Sequence, residues 1–92
     1  MQVIWDPEKR QKNLAKHGLD FADARAVFLG AVFTFEDKRQ SYGEQRLVAL
    51  GMLGENVVAI AFTEPNDDVI RPISMRKATR NEQQIYYRKL RD

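Results

Sequence analysis

Ninety-two residues, 43% hydrophobic and 30% charged, are enough for one small core and too few for two domains, so residues 1–92 read as a single domain. The composition is neither that of a disordered chain nor of a membrane span: the longest apolar run, Val57–Phe62, is far short of the ~20 residues a spanning helix needs. No cysteine and one histidine exclude disulfides, thiolate nucleophiles and two-histidine metal sites, so neither metal nor cofactor is expected.

The N-terminal MQVIWDPEKR shows no secretory pattern, which argues for the cytoplasm. Val3-Ile4-Trp5 reads as a very short strand. Asp6 then offers a cap and Pro7 a preorganised first position for a helix over Pro7–His17, with Gly18 as its stop. Its apolar content is thin, Leu14 and Ala15, whereas Lys9, Arg10, Lys12 and Lys16 make most of it cationic, so one side is wet or bound. Asp20 caps a second helix in which Phe21, Ala24, Val27 and Phe28 recur at helical spacing, ending near Gly30.

Val32–Phe35 has strand character, and EDKRQSYGEQ is a polar connection of the flexible-loop type. Arg46–Leu53 and Val57–Thr63 form a central hairpin, with Gly54 and Asn56 supplying its turn. After a turn over Glu64–Asp68 comes a strand, Val69–Arg76. Simple alternation along it puts Arg71, Ile73 and Met75 on one face and Pro72, Ser74 and Arg76 on the other. Pro72 cannot donate to a ladder, which places this strand at an edge or gives it a bulge. Thr79 and Glu82 form a T-x-x-E capping box that opens a helix over Arg80–Leu90, with Ile85 and Leu90 as its apolar contacts. The sum is an α+β fold: about four antiparallel strands, two N-terminal helices and a C-terminal helix, the helices on one face and the other face partly open.

Charge is segregated. From Arg71 onward seven basic residues face two acidic ones, which suits a polyanion or an acidic protein partner, although a solvated basic helix explains the same count equally well. Arg76, Lys77 and Arg80 crowd the amide-rich start of the last helix, where phosphate is favoured.

At W-D-x-x-K/R near the start, N-x-x-K-H-G at Asn13–Gly18, and I-S-x-R-x-A-T at Ile73–Thr79 with Glu82 and Tyr86 following, the chain resembles the BrnT toxins of bacterial type II toxin–antitoxin systems. The likeness spans nearly the whole sequence; Pro72 departs from the apolar residue usual at its position. It implies a small RelE-like ribonuclease that inhibits translation and is neutralised, in a hetero-oligomer, by a BrnA antitoxin carrying a DNA-binding domain.

Metal-free RNA cleavage needs a 2′-hydroxyl deprotonated, a dianionic phosphorane stabilised and a 5′-oxygen protonated. Arg46, Arg71 and Arg76 are the candidates for the phosphorane, since a guanidinium binds phosphate in two places and keeps its charge. Each could equally cover apolar surface or pair with Glu44, Glu64 or Asp67. His17 is the one side chain that ordinarily titrates near neutrality, but it sits in a helix's last turn, where it could simply cap carbonyls. Lys16, Lys77, Arg80 and Tyr86 are candidate RNA contacts, with mRNA, free or on the ribosome, as the substrate. Core packing competes for Tyr86, and about 100° separates it from Tyr87 on the helix, so one of the two rings faces any site. Glu82 fits a cap better than a general base. A non-catalytic RNA- or antitoxin-binding module, or a purely protein-binding unit, remains the alternative.

Overall fold

The computed structural model describes residues 1–39 and 43–91. In chain order these form β1 (Gln2–Val3), α1 (Pro7–His17), a 3₁₀ turn (Phe21–Asp23), α2 (Ala24–Leu29), β2 (Phe33–Glu36), β3 (Leu47–Leu53), β4 (Asn56–Thr63), β5 (Val69–Lys77) and α3 (Arg80–Arg91). The strands make one sheet in the order β1-β5-β4-β3-β2. It is antiparallel except for β1, which adds a two-residue parallel pairing to the outer edge of β5. The fold is α+β, with one short strand more than the antiparallel four. Part of the expected polar connection, residues 40–42, lies outside the described residues.

Local chemistry explains the element ends. Asp6 accepts from the Glu8 amide at 2.9 Å to start α1, and Gly18, at φ 70°, ends it. The β3–β4 hairpin turns on Gly54 at φ 61° and Glu55; Asn56, expected in the turn, already pairs with Leu53 as the first residue of β4. At α3 the capping box forms in full: the Thr79 amide donates to Glu82 Oε1 (2.8 Å) and the Glu82 amide to Thr79 Oγ1 (3.2 Å).

Both sheet faces are covered, which corrects the expectation of helices on one face only. In the ladder, Ala49, Ile60 and Met75 share a row and pack with Phe21, Ala24 and Val27 from the 3₁₀ turn and α2. The adjacent row, Leu50 and Ala59, points the opposite way and packs under α3 with Val48, Val57 and Tyr86. The anchor of α3 is Tyr86, 1% exposed, whose hydroxyl donates to the Ala31 carbonyl at 2.9 Å. Leu90, expected to pack, is half exposed. Close approach of α2 to the sheet depends on Gly51: a Cβ there would lie 2.7 Å from Val27 Cγ1 and 2.9 Å from Val32 Cγ1.

Helix α1 meets the sheet by polar means. Its buried residue is Asn13, while Leu14 is exposed. The Asn13 side chain donates to Met75 O (2.9 Å) and Leu19 O (3.0 Å) and accepts from Met75 N (3.0 Å). One amide thereby does for the outer edge of β5 what a further strand would do, satisfying its backbone groups where β1 has ended.

Candidate active site

A bulge in β5 decides which side chains meet. Thr63 pairs with Arg71, Phe62 with Pro72, Ala61 with Ser74 and Ala59 with Arg76, which leaves Ile73 as the extra residue beside Pro72. Thr63, Ala61 and Ala59 lie on one face of β4, so Arg71, Ser74 and Arg76 lie on one face of β5, the α3 side. Simple alternation put Arg71 and Arg76 on opposite faces; the inserted residue inverts the count between them.

Arg76 lines a cleft of about 200 Å³ with Phe35, Asp37, Lys38, Arg39 and Glu82. Its Nη1 donates to Glu82 Oε1 at 2.7 Å and its Nη2 to Glu82 Oε2 at 3.0 Å, while Nη1 also reaches the Lys77 carbonyl at 3.3 Å. Glu82 therefore has two duties, capping α3 and holding Arg76. This hydrogen bonding raises the Arg76 pKa against the opposing effect of burial, and the nearby Arg39 charge pulls it slightly back. In the same pair the Glu82 carboxyl is held below its ordinary range, chiefly by the Arg76 hydrogen bonds and, against the cost of burial, by the Thr79 amide. A carboxylate so stabilised is a poor general base. The Nε–H of Arg76 and a second Nη2 hydrogen take no partner among the described residues, so the guanidinium can hold Glu82 on one edge and a phosphate on the other.

Opposite it in the cleft, Asp37 is buried and grips Arg39 through Nε (2.9 Å) and Nη2 (2.8 Å). Neither residue stood out in the sequence, where D-x-R in a polar connection was the only signal; an aspartate two residues before an arginine can fold back on the chain in this way. Arg71 donates to Glu44 at 2.7 Å. Arg46 is half-buried just before β3, its carbonyl accepting from the Asp37 amide at 2.8 Å, and lines neither this cleft nor the next.

On the other side of β5, Lys9, Lys12, Asn13, Lys16 and His17 of α1 and Ile73 and Ser74 of the bulge enclose a second cleft of about 230 Å³. His17 and Lys16 are thus brought to β5, but to its α1 edge and not into the cleft of Arg76. Lys77 and Arg80 are exposed, and Lys77, paired with Val58, projects to the face opposite Arg76. Tyr86 is withdrawn into the core and is not placed to stack on a base; the exposed ring is Tyr87, which packs toward Met52 outside both clefts. Among the described residues no group of three histidine, cysteine, aspartate or glutamate side chains is gathered as for a metal ion, and no helix is long and apolar enough to cross a membrane.

Trp5 of the first motif has a structural role, together with Arg10 and Asp20. The Arg10 guanidinium lies 5.4 Å from the Trp5 ring centroid and forks onto Asp20 at 2.7 and 2.9 Å. Asp20, whose pKa this contact lowers to about 2, also caps the 3₁₀ turn through the Ala22 amide.

Comparison with known proteins shows the family. Residues 5–82 match the family model described as the ribonuclease toxin, BrnT, of type II toxin–antitoxin systems. The crystal structure of the Brucella abortus ribonuclease toxin BrnT superposes with a TM-score of 0.69 at 39% identity, covering 87% of this chain and 99% of that one. Among curated proteins none matches.

Proposed function

The chain belongs to the BrnT family of ribonuclease toxins of type II toxin–antitoxin systems, and from that premise we propose that it cleaves RNA without a metal ion, with Arg76 holding the scissile phosphate. The observation that carries this reading is the free edge of a guanidinium already fixed by Glu82, on a strand whose bulge also turns Arg71 to the same face. Preorganised cations of this kind stabilise a phosphorane because nothing must reorient as charge develops.

In the proposed reaction the ribose 2′-oxygen attacks phosphorus, its proton passes to a base, and the 5′-oxygen leaves with a proton, giving a 2′,3′-cyclic phosphate and a 5′-hydroxyl. Arg76, with Arg71 on the same face of β5, supplies positive charge at phosphorus, and Lys16, His17 and Arg80, which lie outside the Arg76 cleft, bind flanking RNA. With one histidine and no cysteine in the sequence, the donor set favours side-chain over metal chemistry. Cleavage of mRNA in the cytoplasm would stop translation, and a BrnA-type antitoxin with a DNA-binding domain would neutralise the toxin in a hetero-oligomer by covering these cations.

The test uses purified protein and end-labelled RNA in excess chelator. Cyclic-phosphate ends are expected, with cleavage reduced about 10²-fold or more in Arg76→Ala, the scale for removing one transition-state donor. Wild-type protein that leaves RNA uncut, alone and with ribosomes, overturns the proposal. One observation favours a second reading, a non-catalytic RNA- or antitoxin-binding module: Arg71 and Arg76 each already hold a carboxylate. Salt-sensitive RNA binding without cleavage is its signature.

A further inference from the structure

The cationic stripe of α1 forms one wall of a concave site. Lys9, Lys12 and Lys16 are spaced three and four residues apart, so they stack along a single side of the helix. That side is aimed by Asn13, whose bonds to both backbone groups of Met75 fix the rotation of α1 relative to β5. The opposite wall is the bulge, Ile73 and Ser74. Among the described residues the one carboxylate paired with these lysines is Glu8, 3.3 Å from Lys12, with both side chains about three-quarters exposed. A contact so exposed is weak and easily exchanged for another anion. A lysine-rich helix serving only solubility would spread its cations toward open water; here three of them converge on a cleft beside His17.

The cleft and the arginine site meet β5 two residues apart. Ser74 lines the cleft, and Arg76 is two residues on along the same face, about 6.6 Å away at the rise of a β-strand. That separation is on the scale of one nucleotide of extended RNA. We propose that the α1–bulge cleft binds the phosphodiester next to the one held at Arg76, with Lys9 and Lys12 as its ligands, so that single-stranded RNA crosses β5 at the bulge. The inference rests on the ribonuclease reading, but its test does not require cleavage.

Binding of a fluorescent 2′-O-methyl RNA, which cannot cleave itself, is measured by anisotropy against salt for wild type, Lys9→Ala/Lys12→Ala and Lys9→Arg/Lys12→Arg. Both positions are exposed, so the variants fold. The alanine pair is expected to weaken binding about tenfold and to flatten the slope of log K against log salt by about 0.7, the value for one phosphate no longer neutralised on a single strand. The arginine pair restores both. In cleavage assays the alanine pair raises KM and leaves kcat in place, and a dinucleotide spanning only the arginine site binds as to wild type. Unchanged affinity and slope overturn the inference, as does equal loss for dinucleotide and longer RNA. Loss of an acidic antitoxin segment with RNA binding intact would make the cleft a protein site and also overturn it. Should wild type bind RNA through these lysines yet never cut it, the nuclease reading fails and this one stands.

Discussion

Replacing Glu82 by alanine removes two devices at once. The cap loses the bond from the Thr79 amide at 2.8 Å, and Arg76 loses both hydrogen bonds of its fork, at 2.7 and 3.0 Å. The cap contributes about 1 kcal/mol. A charged fork contributes more when buried, but Arg76 is 36% exposed, so solvent screening brings the pair to about 1 kcal/mol. The sum, about 2 kcal/mol, corresponds to a fall in Tm of about 8–16 °C for a domain of this size. The pH dependence has a definite sign. Glu82 titrates lower in the folded than in the unfolded chain. Its stabilisation is therefore complete above the unfolded carboxylate value of about 4.3 and is lost as pH falls through the lower folded value. Urea unfolding of wild type and Glu82→Ala at neutral pH and near pH 3 reads this directly: the gap is full at neutrality and narrows in acid. Glu82→Gln, which keeps an acceptor without the charge, falls between the two at neutrality. A gap of the same size at both pH values, or no gap at all, refutes the assignment of two roles to one carboxylate.

Gly51→Ala places a methyl against Val27 and Val32, two side chains with little rotameric freedom, and is expected to cost about 1–3 kcal/mol by thermal denaturation. Asn13→Ala leaves the Met75 amide and carbonyl unpaired in a buried setting; a loss of about 2–4 kcal/mol in urea unfolding is expected, with faster amide exchange at Met75. NMR titration is expected to find the Asp20 carboxyl at about 2, moving up toward its ordinary value in Arg10→Met; since the folded value is the depressed one, its contribution to stability is present above pH ~4 and disappears as pH falls toward 2.

Much of this protein is local and therefore legible. Asp6-Pro7 and Gly18 bracket α1, Gly54 turns the hairpin, and Thr79 with Glu82 opens α3, because each signal acts within four residues of itself. Motif likeness pointed to the family. What tertiary structure decided involves partners far away in sequence. Pro72 advertised an irregularity, but only pairing with β4 showed that Ile73 is the extra residue and that Arg71 joins Arg76. Asn13 stood in the sequence as the first residue of N-x-x-K-H-G and proved to be the seam between α1 and Met75, 62 residues on. Tyr86 and Tyr87 could not be told apart until α3 crossed the sheet on the side opposite α2, which buried one ring and left the other wet. Spacing along a chain determines where helices and turns begin. Which face a side chain shares, and which charge it meets there, depends on strand register and helix placement, and both are settled only when the whole sheet pairs and its two cores close.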